Sequence, residues 1–290
     1  MIKILFCLVF AATIEMGFAQ TEKLHVVVIG AHPDDADLLA GGTAIRLSRL
    51  GHEVLFVSLT NGDAGHYSTG GGALAKIRRA EAEEAGKRFG VTYRVLDNHD
   101  GELMPDLYIR LDVIRLIREW NADVVIGHRP NDYHPDHRNA AILVQDAAFM
   151  VVVPNVAPDT PPLKKNPVFL YAQDRFQKPY PFQADIAVDI SDVYRQKVYA
   201  FSAHRSQFFE WLPWLSGQLN EVPADESGKL EWLANLRKKP IVPAVRESLV
   251  KWYGAGKGGQ VTDAEAFEIC EYGRQPDVNE IKRLFPMLGK

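Results

Sequence analysis

The sequence has little cysteine, no cluster of basic residues and, beyond its first residues, no long apolar run. Of its two cysteines, Cys7 and Cys270, only Cys270 lies outside an N-terminal apolar segment, so we expect a mature chain without an intramolecular disulfide. The net charge of −4 and the absence of a basic stretch argue against a nucleic-acid partner. The later apolar runs are too short to span a bilayer, so no transmembrane segment is predicted after the N-terminus.

What is present is the composition of an ordinary globular protein of 290 residues, 47% of them hydrophobic and 24% charged. A chain of this length can bury a sizeable core in one α/β domain with additions. The sequence shows neither internal repeats nor low-complexity tracts. These features favour an enzyme that acts on a small or carbohydrate substrate.

Residues 1–19 have the pattern of a secretory signal peptide. Lys3 supplies a positive start, residues 4–12 are apolar, and Gly17-Phe18-Ala19 resembles a cleavage site. The pattern predicts cleavage before Gln20 and export to the periplasm or the exterior. A retained N-terminal anchor is the alternative, although an apolar stretch of about ten residues is short for a spanning helix.

Strand-like and helix-like segments alternate along the chain. This alternation predicts an α/β, Rossmann-like fold with a mostly parallel sheet flanked by helices. The predicted strands are 24–29, 54–59, 91–96, 124–127, 168–171 and 186–190, and the predicted helices are 37–50, 73–89, 106–120, 138–153 and 192–204. Residues 211–290 are predicted to form a helical, aromatic-rich extension. Its aromatic residues, and those just before it, either pack in the core or offer a platform for a sugar.

Residues 30–37 concentrate chemistry directly after the first predicted strand. They place His32, Asp34, Asp35 and Asp37 behind a run of Val and Ile that reads as a buried strand. Such a strand brings its carboxyl end to the ligand crevice of an open α/β sheet. Imidazole and carboxylate suit a divalent metal such as zinc. The alternative is a plain turn with an aspartate that caps a helix.

A second polar cluster, residues 131–137, follows the predicted strand 124–127. It contains His134, Pro135, Asp136 and His137. Because both strands end at the same edge of a parallel sheet, we expect the two clusters to converge there. Convergence of two clusters rich in His and Asp is hard to explain by turn chemistry alone.

Together these motifs resemble the PIG-L/LmbE-like family of zinc-dependent N-acetylglucosaminyl de-N-acetylases. The combination is specific, although no single piece is. The family's lesser motifs follow in the same order: residues 61–65, Arg78 with Glu81, Asp100-Gly101, and His204 with Ser206-Gln207. The resemblance covers about residues 24–210. We therefore assign residues 20–210 to the deacetylase domain and residues 211–290 to a C-terminal extension packed on the same domain.

The resemblance implies a hydrolase that removes the acetyl group from an N-acetylated amino sugar or glycoconjugate. By matching positions, His32, Asp35 and His137 would bind Zn²⁺, or another divalent metal in its place, and leave a position for water. Asp34 would be the general base on that water. His134 would be an imidazolium that stabilises the oxyanion or the leaving amine, favoured by a hydrogen bond to Asp136. In the alternative, His134 only packs beneath its own turn.

Arg78, Asp100 and His204 match family positions and are predicted to contact the substrate. For Arg78 the alternative is a surface ion pair with Glu81, three residues further along one helix. The family usually has Glu after the two aspartates, whereas this chain has Ala36 and then Asp37. The groups around the metal ligands that this Glu orients in the family must be oriented by another residue here, or not at all.

Other functions stay open on the sequence. A metal-dependent amidase on a non-sugar amide would use the same residues, and a non-catalytic carbohydrate-binding protein would use the aromatic tail. A nucleotide-binding Rossmann protein is disfavoured because the first strand is not followed by a glycine-rich turn. An oligomer is compatible with the sequence, which does not determine the oligomeric state.

Overall fold

The computed structural model describes residues 22–289. The predicted signal peptide, residues 1–19, therefore lies outside the described residues. Within the described part of the chain, no helix is both long and apolar enough to cross a membrane.

Seven strands and nine helices make up residues 22–289. The strands are β1 (His25–Gly30), β2 (Glu53–Thr60), β3 (Thr92–Asn98), β4 (Val124–Gly127), β5 (Val168–Ala172), β6 (Ile186–Asp189) and β7 (Ala264–Gly273). The helices are α1 (Asp35–Arg49), α2 (Gly71–Phe89), α3 (Leu107–Glu119), α4 (Pro135–Met150), α5 (Tyr194–Phe201), α6 (Leu212–Leu215), α7 (Glu226–Arg237), α8 (Pro243–Gln260) and α9 (Val278–Leu284). A π-helical turn, Ser206–Trp211, leads into α6, and a short 3-10 helix, Leu219–Glu221, follows it.

The strands form one sheet in the order β3-β2-β1-β4-β5-β7-β6. Neighbours from β3 to β5 are parallel, and β7 runs antiparallel to both β5 and β6. The predicted α/β fold with a mostly parallel sheet flanked by helices is confirmed. The strand order reverses between β1 and β4, and in open α/β sheets ligands bind at such a switch point.

Strand β1 shows how the sheet is buried on both faces. Val26 and Val28 pack into one apolar cluster, while Val27 and Ile29 pack into another on the opposite face. Because successive side chains of a strand point to opposite faces, a strand between two helical layers must be apolar throughout. This burial holds β1 and its carboxyl end rigidly in the middle of the sheet.

Two helices begin earlier than the sequence predicts. Helix α1 begins at Asp35 rather than residue 37, and α4 begins at Pro135 rather than residue 138. Proline is favoured at the first helical position because it has no amide hydrogen to leave unpaired there. As a result Asp35, Asp136 and His137 lie in the first turns of helices and not in loops.

The C-terminal extension contains a strand that the sequence analysis did not predict. Strand β7 inserts between β5 and β6, so residues from the extension complete the main sheet. Several of its aromatic residues, including Phe267 and Phe285, lie in the same apolar cluster as Val26 of β1. The extension is therefore integral to the core, and β7 is antiparallel because the chain returns along the sheet from the opposite side.

Candidate active site

The switch point of the sheet carries both predicted clusters. The turn after β1 brings His32, Asp34 and Asp35 to this edge, and the segment after β4 brings His134 and His137. The ring centroids of His32 and His137 are 5.1 Å apart, although the residues are far apart in sequence. The structure thus joins the two clusters into one site, as the strand pattern predicts.

The three predicted metal ligands turn donor atoms toward one another. His32 Nδ1 lies 3.2 Å from His137 Nε2 and 3.5 Å from Asp35 Oδ2, and His137 Nε2 lies 3.5 Å from Asp35 Oδ1. Ligand atoms about 2.05 Å from a tetrahedral zinc ion would be about 3.3 Å apart. The two histidine nitrogens have this spacing, Asp35 faces them through different oxygens, and the three residues have the donor chemistry of a divalent-metal site. We call His32, Asp35 and His137 the metal-ligand cluster.

Carboxylates hold the ring nitrogens that face away from the metal-ligand cluster. His32 Nε2 lies 3.2 Å from Asp136 Oδ2 and 3.1 Å from Asp100 Oδ1, and His137 Nδ1 lies 3.1 Å from Asp132 Oδ1. Metal-binding histidines commonly pair their other nitrogen with a carboxylate, which fixes the tautomer and the ring orientation. In both rings this pairing turns the other nitrogen toward the interior of the metal-ligand cluster.

Asp35 is held by hydrogen bonds on Oδ2, the oxygen that also faces His32 Nδ1. Asp35 Oδ2 accepts from the backbone amides of Ala31 (2.9 Å) and His32 (2.8 Å) and lies 3.2 Å from His128 Nε2. Burial opposes ionisation, but the charges of His137 and His128 and the hydrogen bonds to these neighbours keep the pKa of Asp35 well below its usual range. Asp35 is thus ionised, and its orientation is fixed.

His128 lies at the site but was not predicted from the sequence. It is the first residue after β4, and its ring stacks on His137 with centroids 4.2 Å apart. His128 Nε2 also lies close enough to Asp35 and His137 for the three to form a second candidate ligand group. Its position at the end of a buried strand was the available signal, but a lone histidine outside both motifs does not stand out.

Asp34 lies beside the metal-ligand cluster and is not part of it. Its Oδ2 accepts a hydrogen bond from Gln207 Nε2 at 3.2 Å, and the side chain is buried. Burial and the neighbouring charge of Asp35 raise the pKa of Asp34. The two adjacent aspartates therefore have distinct environments. Gln207 comes from the π-helical turn Ser206–Trp211. The sequence motif contains Gln207, but the sequence does not show that its partner is Asp34.

His134 lies at the site, but the prediction that it donates a hydrogen bond to the Asp136 carboxylate is wrong. His134 Nδ1 accepts from the backbone amide of Asp136 at 3.2 Å, while the Asp136 carboxylate contacts His32 Nε2 and accepts from the amides of Gly101 and Leu103. An accepting Nδ1 places the proton of the neutral ring on Nε2. Burial and the charge of His32 also lower the pKa of His134. His134 is therefore a neutral donor, and Asp136 positions His32.

Two of the three predicted substrate contacts are buried. His204 has no exposed surface and lies 3.1 Å from Asp37 Oδ1, which places it beneath the site. Arg78 is almost fully buried and donates to the carbonyl of Gly65 at 2.6 Å, so it holds the loop after β2. Asp100, paired with His32, does lie at the site.

Two motif residues have structural partners of their own. Glu81 accepts hydrogen bonds from the amide and hydroxyl of Ser206, at 2.7 and 2.6 Å, so it does not form the surface ion pair with Arg78. Asp37, which follows the unusual Ala36, accepts from the hydroxyl of Tyr93 at 2.8 Å. The Tyr93, Asp37 and His204 side chains thereby brace the first turn of α1 from below.

Comparisons with known proteins find similar deacetylases. The family model described as PIG-L: GlcNAc-PI de-N-acetylase matches residues 27–148. Diacetylchitobiose deacetylase of Thermococcus kodakarensis is 31% identical over 201 residues, which cover 66% of this chain and 74% of that protein. A probable N-acetyl-alpha-D-glucosaminyl L-malate deacetylase 2 of Bacillus cereus is 30% identical over 193 residues, which cover 63% of this chain and 83% of that protein.

Among solved structures, N,N'-diacetylchitobiose deacetylase from Pyrococcus horikoshii is similar with a TM-score of 0.61 at 28% sequence identity. The similarity covers 84% of this chain and 83% of that one. The stretch that the family model matches contains all three residues of the metal-ligand cluster.

Proposed function

This chain belongs to the PIG-L family of GlcNAc-PI de-N-acetylases, and from that membership and the site geometry we propose that it is a metal-dependent de-N-acetylase. In the proposed reaction, water adds to an acetamide carbonyl, the C–N bond breaks, and acetate and a free amine are released. The substrate is an N-acetylated amino sugar or a glycoconjugate that carries one.

One observation carries the proposal: two histidines and an aspartate converge while carboxylates hold both outward ring nitrogens. Rings whose outward nitrogens are held by carboxylates can turn their inward nitrogens to one bound cation. The residues His32, Asp35 and His137 would hold the metal. A divalent metal bound there lowers the pKa of a coordinated water to about 7 and polarises a carbonyl oxygen.

Asp34 is the proposed general base. It is adjacent to Asp35 but points to Gln207 rather than to the histidines, so it is free to accept a proton from the attacking water. The same carboxyl group can then return that proton to the nitrogen of the departing amine. The hydrogen bond from Gln207 orients Asp34 while leaving its other oxygen available.

His134 is the proposed donor to the developing oxyanion. Its ring centroid lies 4.6 Å from that of His32 and 5.2 Å from that of His137, so it borders the metal-ligand cluster. With Nδ1 occupied by the amide of Asp136, Nε2–H is the donor. A fixed donor at the place where negative charge develops stabilises the transition state without reorganisation.

We also propose that the protein is exported, on the signal-peptide pattern of residues 1–19. Mass spectrometry of the protein from its native cells should find Gln20 at the N-terminus. An intact Met1 on a cytoplasmic protein would exclude export.

The function is tested by measuring acetate release from a panel of N-acetyl sugars and non-sugar acetamides, with added zinc and after chelation. We expect metal-dependent release of acetate from N-acetylated sugars.

Asp34→Asn should keep its metal and lose turnover by about 100-fold or more. Asp35→Ala should lose metal and turnover together, and excess zinc should partly restore both.

The matched control is Asp112→Asn, which changes an exposed carboxylate on α3 and should leave turnover unchanged. Release only from non-sugar acetamides would favour the amidase alternative. Near wild-type release by both Asp34→Asn and Asp35→Ala would exclude the proposed site.

A further inference from the structure

A small cavity at the edge of the sheet that carries the active site has no part in the mechanism above. It lies where β6 ends and β7 begins, and Ile190 and Ala264 from these two places line it. Three basic residues line it as well: Lys197 of α5, Arg237 at the end of α7, and Lys239 just beyond that helix. We call this cavity the basic pocket.

Two of the three cations of the basic pocket have no partner in the described chain. Lys197 Nζ donates to Glu265 Oε1 at 2.7 Å and to the carbonyl of Leu38 at 3.0 Å. Within residues 22–289, by contrast, neither Arg237 nor Lys239 forms a hydrogen bond or an ion pair, and Arg237 Nε is buried without an acceptor. The pocket therefore holds a guanidinium and an ammonium whose donors are free for a ligand.

The nearby carboxylates have other partners. Asp263 is the acidic residue that lines the basic pocket. Its Oδ2 accepts from the hydroxyl of Thr262 at 2.8 Å, and its Oδ1 lies 3.8 Å from Nζ of Lys238, which does not line the pocket. Glu265 lies behind Lys197, where its two oxygens also bind the amides of α1. Positive charge is thus in excess in the pocket.

The pKa values of the two unpaired cations have the direction that this excess requires. Burial and the like charge of Lys197 lower the pKa of the Lys239 ammonium to about 8, and burial lowers the pKa of Arg237. Lys239 keeps part of its surface exposed, so it lies at the mouth of the pocket. An anion bound there would supply the missing opposite charge and offset the cost of keeping these groups charged.

Arg237 is held in place by an aromatic ring. Its guanidinium carbon lies 5.0 Å from the ring centroid of Phe208, a buried residue of the π-helical turn Ser206–Trp211. A guanidinium over a ring face keeps its N–H groups in its own plane, where they can bind both oxygens of one carboxylate. Because the ring already fixes this plane, little conformational freedom is lost when an anion binds.

The rest of the wall is apolar, which selects the kind of anion. Leu38, Ile190 and Phe201 line the basic pocket beside the cations. The cavity has a volume of about 100 Å³, well below the roughly 300–1,000 Å³ of pockets for drug-sized ligands. A phosphate ion would press charged oxygens against this apolar wall, which is unfavourable. A carboxylate with a short alkyl end matches both the cations and the wall.

We propose that the basic pocket is a binding site for a small carboxylate, separate from the metal-ligand cluster. The carboxylate accepts hydrogen bonds from Arg237 and Lys239, and its alkyl end covers the apolar wall. Both basic residues lie outside the stretch of residues 27–148 that the family model matches. The inference goes beyond the proposed function and does not depend on it, although acetate, which the proposed reaction releases, is a small carboxylate.

The test measures binding of propionate to the zinc-loaded protein by ligand-observed NMR titration. We expect saturable binding that persists after chelation of the metal and that is tighter than binding of phosphate. Arg237→Gln should raise the Kd for propionate by about tenfold or more, because a charge-assisted hydrogen bond is lost. Lys239→Gln should act in the same direction and serves if Arg237→Gln does not fold.

The matched control is Arg94→Gln. Arg94 lies on β3, at the opposite edge of the sheet from β6, and pairs with Glu119, so its loss should leave the Kd unchanged. Binding that disappears on chelation would place propionate on the metal and overturn the inference. Tighter binding of phosphate, no binding to wild type, or wild-type affinity in both Arg237→Gln and Lys239→Gln would overturn it too. None of these results requires turnover, so the proposed function is tested separately.

Chemical labelling locates the bound anion. Lys239, with a pKa of about 8, should react with an amine-selective succinimidyl ester at pH 7.5, and mass spectrometry can follow the modified peptide. Propionate at its Kd should slow this reaction by about half, because half of the pockets are then occupied. Lys87, which is exposed on α2, is the internal control and should react at an unchanged rate. A rate at Lys239 that propionate does not change would show that the anion binds elsewhere.

Discussion

Histidine has two ring nitrogens, and the contact made by one decides what the other can do. In this protein the carboxylate of Asp132 holds His137 Nδ1, and the carboxylates of Asp100 and Asp136 face His32 Nε2. The other nitrogens of the two rings thereby face each other at the switch point. At the scale of single residues, the proposed metal site thus depends on aspartates outside the metal-ligand cluster.

Asp132→Ala should weaken metal binding without removing a ligand. Loss of the carboxylate frees the His137 ring to turn and to change tautomer, so affinity for Zn²⁺ or Co²⁺ should fall by about 10- to 100-fold. Competition with a chromogenic chelator measures this directly. Asp159→Ala, which removes an exposed aspartate paired with Arg115, is the control. An Asp132→Ala protein with wild-type affinity would show that His137 needs no such partner.

His204 should make the stability of the protein depend on pH. Burial opposes charge on His204, but Asp37 and, more weakly, Asp34 and Glu81 raise its pKa above the usual value. Because the pKa of His204 is higher in the folded than in the unfolded protein, its charged ring stabilises the fold fully below about pH 6.5. This stabilisation is lost as pH rises through the pKa of the folded state. The difference in unfolding free energy between wild type and His204→Gln, measured by urea denaturation, should therefore shrink between pH 6 and pH 9.

For His52→Gln, the difference in unfolding free energy from wild type should depend on pH in the opposite direction. Burial lowers the pKa of His52, so its contribution is complete above about pH 6.5 and is lost as pH falls. The two variants should thus show opposite trends. A difference for His204→Gln that does not change with pH would mean that the pair contributes equally in both protonation states.

At the scale of elements, helix α1 is interrupted and capped from another part of the chain. Ala40 leaves the helical region, with φ −144° and ψ 19°. The amides of Gly42 and Thr43, which this kink exposes, are bound by the carboxylate of Glu265 on β7, and Lys197 Nζ lies 2.7 Å from the same carboxylate. The C-terminal strand thereby supports the helix that carries Asp35.

The two glycines at this kink are explained by close packing. A methyl group at Gly41 would lie 2.7 Å from the Phe89 ring, and one at Gly42 would lie 2.7 Å from Ile190. The absence of side chains at both positions thus lets α1 pack closely against the apolar core.

Glu265→Ala should destabilise the protein by about 3 kcal/mol or more, because it leaves a buried ammonium without its counter-charge and two amides unpaired. Chemical denaturation measures the loss. Glu271→Ala, which alters an exposed carboxylate on the same strand, should change stability by no more than about 0.5 kcal/mol. Equal stability of the two variants would mean that Glu265 does not cap the kink.

At the scale of the whole molecule, the described chain forms one cooperative unit rather than a domain with an appendage. Strand β7 connects β5 to β6, so β6 has no other partner in the sheet. Phe267, Ile281 and Phe285 share an apolar cluster with residues of β1 and α1. Removal of the extension would expose this core and separate β6 from the sheet.

A fragment of residues 20–210 should therefore not fold by itself. We expect it to lack a near-UV circular dichroism signal and a cooperative thermal transition, because the core on one face of the sheet is left open. Co-expression with residues 211–290 is the control and should restore both. Cooperative unfolding of the isolated fragment would establish the boundary predicted from the sequence as a true domain boundary.

The fold class and the candidate metal ligands could be predicted from the sequence, because both predictions depend on local patterns. Apolar runs of strand length alternate with segments of helical periodicity, and His and Asp follow two of those runs.

The hydrogen-bond partners of those side chains, by contrast, depend on the tertiary structure. Asp136 contacts His32 rather than His134, His204 lies beneath the site, and His128 and Asp132 hold the ligands from behind. The tertiary structure also decided the place of β7, whose residues pair with residues of β5 and β6 that lie 75 to 105 positions earlier in the chain. Hydrogen-bond partners and strand insertion depend on three-dimensional proximity, which no spacing along the chain encodes.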